Sequence, residues 1–250
     1  MTRLRSNGWA AKEASAVKDD LTQRVSEVAE APDGGADGGA EDGTEGADPG
    51  SIPAARRPRA RRGEGDRLRA EIVDAASEML AVTGEVGELS LRAVAREVGI
   101  AATSIYLHFR SLDELVLAVK IRYFDEFGDA LEAAARAAGD VPLTRARARA
   151  RAYVQYGMRH PGRYRVMFTS EAVPPHLMPT VRFVGVEVFD AVRDEMAAVA
   201  GPGVDARMLA IHAWTALHGM VTLRAARRNF PWPDMDEEID SLVGYLLPAP

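Results

Sequence analysis

Apolar residues recur every three or four positions along most of the chain, with no convincing run of strict alternation between them. Leu68, Ile72, Val73, Ala76, Met79 and Leu80 predict an amphipathic helix for which Asp66 is a candidate cap. Residues 84–89 break it. Leu91, Val94, Ala95 and Val98 predict a short second helix, opened by Ser90 as N-cap and closed at Gly99, a residue that tolerates the left-handed conformation. Ala101 to Phe109 predict a third, with Ile105 and Phe109 on its inner face. Ser111 and Glu114 have the spacing of a capping box. They open a helix running from Leu112 to about Phe127, with Leu115, Val116, Val119, Tyr123 and Phe127 inward. Leu143 to Met158, residues 205–227 and residues 236–247 predict further helices, separated by Gly and Pro at 139–142, 160–162, 174–179, 201–203 and 230–233. The fold class is all-α.

Two short helices joined by a glycine turn, with an apolar seam between them, define a helix-turn-helix, whose second helix enters the DNA major groove. The stretch AVAREVGIAATSIYLHFRSLDEL closely resembles the DNA-binding signature of TetR-type transcriptional regulators, with Ala95, Gly99, Tyr106, His108, Phe109 and Leu115 in the matching order and spacing. HPGRYRVMF (160–168) and AWTALHGMV (213–221) add a second resemblance, to the regulatory domain of a TetR-type subgroup named for Trp, His and Gly, here Trp214, His218 and Gly219. Together the two resemblances span about residues 64–247.

Charge refines this picture. The net charge is −6, but it is unevenly placed. Residues 1–54 carry 5 Lys/Arg against 11 Asp/Glu, whereas residues 55–110 carry 10 against 8. Residues 31–50 are acidic and low in complexity, with too few apolar side chains to offset ordering, so disorder is expected there. The tract reads as a solvated tail, or as a competitor for the basic arm behind it. Residues 1–30 hold a thin helical stripe at Val17, Leu21, Val25 and Val28. The sign then reverses: Arg56, Arg57, Arg59, Arg61 and Arg62 lie ahead of the helix-turn-helix, where a flexible arm can follow phosphates or enter the minor groove. The expected organisation is an acidic extension over 1–54, an arginine arm and DNA-binding domain over 55–110, and a helical regulatory and dimerisation domain over 111–250.

Burying Ile105 and Phe109 leaves Ala101, Ala102, Thr103, Ser104, Tyr106, Leu107 and His108 facing DNA or solvent. The resemblance implies phosphate contacts from Tyr106 and His108, base-edge contacts from Ala102 and Thr103, and a reading role for Arg92. Hydroxyls and an imidazole suit phosphate oxygens, and Arg can pair bidentately with guanine. The DNA-binding set is thus Arg92, Ala102, Thr103, Ser104, Tyr106 and His108, with Arg59, Arg61 and Arg62 from the arm. Where the family usually carries Lys, this chain has Leu112, so one phosphate anchor is missing.

The regulatory part shows no nucleophile–base pair, Gly-rich phosphate loop or metal-ligand spacing. No catalytic residue, cofactor or metal is expected, and an enzyme is not the expected class. Tyr153, Tyr156, Met158, Tyr164, Met167, Phe168, Phe183, Phe189, Trp214, His218 and Met220 instead mix soft, aromatic and polar-tipped side chains that suit either core or a largely apolar cavity. Tyr156, Met167, Phe168, Phe183, Trp214 and His218 form the candidate ligand set. Arg145, Arg147, Arg149 and Arg151 fall on two sides of their helix and read as solvated charge. The family resemblance implies a homodimer through the last two helices, with Leu209, Ile239, Leu242, Val243 and Leu246 as a candidate seam, and a pseudo-palindromic operator. The expected function is a repressor released by a small, mostly apolar effector; the alternative is a ligand-independent DNA-binding protein acting by occupancy or protein partners. No run approaches the ~18 apolar residues of a membrane span. No secretory apolar region is evident and cysteine is absent, so the cytoplasm is the expected compartment.

Overall fold

The computed structural model describes residues 64–169 and 185–247, which are helical with no strand among them. The chain divides between Arg69 and Ala70. The architecture below belongs to the second unit, apart from the first residues of its opening helix. The arginine arm (Arg59, Arg61 and Arg62 included), the acidic tract, His176 and Phe183 lie outside the described residues.

Helix α1 spans Glu64–Thr83, so Asp66 lies within its first turn and is not its cap. Ile72, Ala76 and Leu80 are fully buried along its inner stripe. Gly84 ends it at φ +67, and a short 3-10 turn follows over Val86–Glu88. Helix α2 (Leu91–Val98) starts where the Ser90 hydroxyl accepts from the Ala93 N–H at 3.2 Å and stops at Gly99, φ +75. The next helix, α3, is regular only over Ala102–Ile105. It continues to Phe109 as overlapping turns, with Leu107 and His108 donating to the carbonyls of Ser104 and Ile105. The expected Ala101–Phe109 helix is therefore tightened in its second half.

Helix α4 runs from Leu112 to Ala137, ten residues beyond the expected Phe127. Its stripe continues through Leu131 and Ala135, both buried, and the isolated Gly128 does not end it. The Ser111 hydroxyl accepts from the Glu114 N–H at 3.2 Å. The Glu114 carboxylate accepts from Arg110, one position upstream of a reciprocal capping box. Helices α5 (Pro142–Arg159) and α6 (Pro161–Thr169) follow. The remaining helices are α7 (Val186–Ala200), α8 (Ala206–Ala226) and α9 (Met235–Leu246). Helix α5 packs against α4, α7, α8 and α9 and is the central post of the regulatory part. The approach to α8 needs Gly157: a β-carbon there would lie 2.6 Å from the Val221 side chain.

Two sequence expectations change in this packing. Two of the four α5 arginines, Arg145 and Arg149, are not solvated charge. Arg149 is 6% exposed and its guanidinium bonds Glu195 on α7 (2.6 Å) and Glu132 on α4 (2.8 Å). Arg145 joins it on the other oxygen of Glu195 at 3.0 Å. Arg147 and Arg151 pair with Asp240 on α9, and Arg151 also with Asp236. Single-helix periodicity misses this because acids from three other helices supply the counter-charge. The candidate dimer seam changes as well. Ile239 and Val243 are buried inside the protomer, and Leu242, Val243 and Leu246 face its cavity.

Candidate functional site

The helix-turn-helix presents one outward face. Ile105 and Phe109 are fully buried against the rest of the motif. Arg92, Ala101, Ala102, Thr103, Tyr106 and Leu107 are exposed, while Ser104 and His108 are half-buried. The six DNA-contact candidates within the described residues thus lie on α2, on α3 and in the turns that extend it. No helix of the described residues is long and apolar enough to cross a membrane.

The second candidate site is a cavity of about 70 Å³ among α4, α5, α6, α7, α8 and α9. One water needs roughly 10–15 Å³ by this measure, so the space holds more than an isolated water. Phe124, Phe127 and Leu131 line it from α4, Val188, Phe189, Val192 and Met196 from α7, and Leu242, Leu246 and Leu247 from the C-terminal end. Of the sequence candidates, Tyr153, Phe168, Phe189 and Trp214 reach its wall. Tyr156, Tyr164, Met167, His218 and Met220 are not among its lining residues, and Met158 is exposed. Two lining stripes escape a reading of the sequence although both have helical spacing. Phe124–Phe127–Leu131 looks like the core of a linking helix, and Val188–Val192–Met196 carries no polar tip to mark it as a site.

His218 stands behind the wall. Its Nδ1 lies 2.7 Å from the Tyr164 hydroxyl, which lies 3.0 Å from the Tyr153 hydroxyl. Where Nδ1 of a neutral His218 carries no proton, the Tyr164 hydroxyl donates to it and accepts from Tyr153; the other tautomer reverses the order. Burial pushes the Tyr153 hydroxyl up to about 12 and the Tyr164 hydroxyl further, so both keep the protons this chain requires. Burial also lowers the His218 pKa, favouring its neutral form. The His218 tautomer therefore sets the order of a buried polar chain whose far end, Tyr153, is cavity wall.

Helix α6 touches both sites' supports. At its start Gly162 packs on the end of α1, where a β-carbon would overlap the Ala81 carbonyl and lie 2.8 Å from its carbon. Arg163 bonds Glu126 on α4 at 2.6 Å and approaches Glu78 on α1 at 3.9 Å. The Tyr123 hydroxyl of α4 donates to the Ser77 carbonyl of α1 at 2.5 Å. Arg122 completes the strap through Asp74 and Glu126. Near its end, Phe168 lines the cavity and stacks edge-on against Phe124, centroids 5.4 Å apart. Gly162→Val should push α6 from α1 and lower stability by about 1–3 kcal/mol, as overpacking does. Chemical denaturation checks this; wild-type stability would mean the backbone there yields freely.

These features define an all-helical protein that joins a DNA-binding helix-turn-helix to a cavity-bearing helical domain. Residues 72–119 match the family model for bacterial regulatory proteins of the tetR family, and residues 146–246 match that for the tetracyclin repressor-like C-terminal domain. The chain thus carries a TetR-family DNA-binding domain followed by a TetR-type C-terminal domain. Among solved structures it is similar to a protein with unknown function from Rhodococcus sp. RHA1, at 27% identity and TM-score 0.60 over 72% of this chain and 93% of that one. A TetR family transcription regulator from Marinobacter aquaeolei VT8 shares the fold at 18% identity and TM-score 0.53, covering 75% and 97%. So does the regulator FadR from Bacillus subtilis, solved in complex with stearoyl-CoA, at 13% identity and TM-score 0.57, covering 72% and 97%.

Proposed function

We propose that the protein is a homodimeric, sequence-specific transcriptional repressor, released from a pseudo-palindromic operator by a small, mostly apolar effector in the α4–α9 cavity. The observation that carries this reading is α6, which abuts α1 of the DNA-binding domain at one end and the cavity at the other. An effector that favours one position of α6 over another would bias the spacing of the two recognition helices, and a coupling of about 1–3 kcal/mol makes a working switch. Residues 55–110 form the DNA-binding domain and 111–250 the regulatory domain, with 1–54 an extension outside both. Trp214, His218 and Gly219 support assignment to the Trp–His–Gly subgroup.

Arg92, Ala102, Thr103, Ser104, Tyr106 and His108 meet the operator, with Arg59, Arg61 and Arg62 following the adjoining backbone. Phe168 and Trp214 contact the effector directly; Tyr156, Met167 and His218 act from outside the cavity lining. The dimer forms through α8 and α9. Support comes from an exposed stripe on α8 with Met208, His212, Thr215 and Leu223, and from Ser241, Gly244 and Tyr245 on α9. Gly219 and Gly244 have open space where a β-carbon would stand, which suits the close approach of a second copy.

The test is fluorescence anisotropy on the duplex upstream of the coding region against a shuffled duplex, across a salt series. A preference that survives salt supports a specific regulator; equal binding that collapses with salt leaves only phosphate contacts. In the same assay Arg92→Ala should cost about 1–3 kcal/mol and relax preference at one base position. An unchanged preference would remove Arg92 from the readers.

A further inference from the structure

We infer that the effector places only an uncharged hydrocarbon group, alkyl or aryl, in the cavity, with no charged or hydrogen-bonding atom inside it. This rests on the reading of the cavity as the effector site and names the ligand class that site accepts.

Four polar side chains stand among the described lining residues: Arg149, Tyr153, Glu195 and Trp214. Each is already committed to a partner. Both carboxylate oxygens of Glu195 accept from arginines, Oε1 from Arg145 and Oε2 from Arg149. Arg149 spends a second nitrogen on Glu132. The Tyr153 hydroxyl is paired with that of Tyr164 in the chain ending at His218, and the Trp214 ring packs against Phe168 and Phe189. The rest of the described lining is Ala, Gly, Val, Leu, Met and Phe. The described wall therefore offers carbon, while its donors and acceptors are turned away from the space.

A carboxylate entering this space would have to pull Glu195 away from two arginines, and an ammonium would have to pull Arg149 from two glutamates. Either exchange leaves a buried charge without its partner, which is costly. A hydroxyl or amide would lose its water bonds and find no replacement. A hydrocarbon group loses nothing on entry and gains burial. The wall is thus discriminating by omission, and it excludes isosteric ligands with charged ends.

The test uses three probes sharing one tail: butylbenzene, 4-phenylbutanoate and 4-phenylbutylamine. Binding to the full-length protein is measured by calorimetry, and release of bound duplex separately by anisotropy. The expected result is that butylbenzene binds at least ~10-fold tighter than either charged probe. Glu195→Ala, which exposes Arg145 and Arg149 to the space, should then shift preference toward 4-phenylbutanoate. Glu195→Gln, which keeps the shape, should do so more weakly if Glu195→Ala fails to fold. Equal or tighter binding of the acid or the amine to the unmodified protein overturns the inference. Binding of none of the three overturns it together with the effector-site reading. Tight butylbenzene binding that leaves the duplex bound upholds the ligand class and overturns only the repressor-release reading.

Discussion

Arg149→Met should lower the unfolding free energy by about 3 kcal/mol, near the lower end of what breaking a buried ion pair costs. The side chains of Arg149 and Glu195 are 7% and 6% exposed, so neither charge has water to fall back on. Removing Arg149 strips Glu195 of one arginine and Glu132 of its closest one, but Arg145 still reaches both acids. That remaining partner is why the cost stays at the lower end. The double variant Arg149→Met with Glu195→Leu should recover most of the loss, since two buried charges then give way to apolar groups of similar bulk. Urea unfolding of the two variants checks this. A single variant within about 1 kcal/mol of wild type would show that water reaches the pair.

Phe109→Ala should cost about 3–5 kcal/mol, the range for emptying a fully buried aromatic site. Phe109 and Ile105 are both completely buried and pin the irregular second half of the recognition element, where backbone bonds are short turns rather than a regular helix. With the ring gone, Tyr106 and His108 lose their fixed places and duplex affinity should fall by about 100-fold or more. Calorimetric probe binding in the α4–α9 cavity should persist, because Phe109 is not among its lining residues. The paired assays of duplex and probe binding separate these effects. Retained duplex affinity would mean that the motif holds its shape by backbone bonding alone.

Much of the DNA-binding half is legible in the amino-acid sequence. Ser90, Gly99 and Ser111 act locally, through bonds and torsions within three residues, so reading them needs no knowledge of distant neighbours. Ile105 and Phe109 follow from the same short-range logic, since a helix of this period has only one face to bury. The regulatory half is legible as helices but not as a site. Phe168 and Trp214 are wall, as their chemistry suggests, yet His218 stands two hydrogen bonds behind the lining residue Tyr153. Leu242 and Leu246 look like a seam between copies because an apolar stripe does not say what covers it; α5 and the cavity do.

The sequence by itself determined the all-helical class, the caps and breaks of the helix-turn-helix, its outward face and the abrupt change of charge before it. These depend on spacing, capping and torsion preference, which act over a few residues. Tertiary structure alone decided that Arg149 is a buried counter-ion, that His218 orders a polar chain from behind the wall, and that α6 meets both α1 and the cavity. Those facts depend on side chains brought together from tens of residues away, as Arg149 is with Glu195 and Tyr164 with His218. Periodicity records which face of a helix is apolar, but carries no information about which distant side chain will face it.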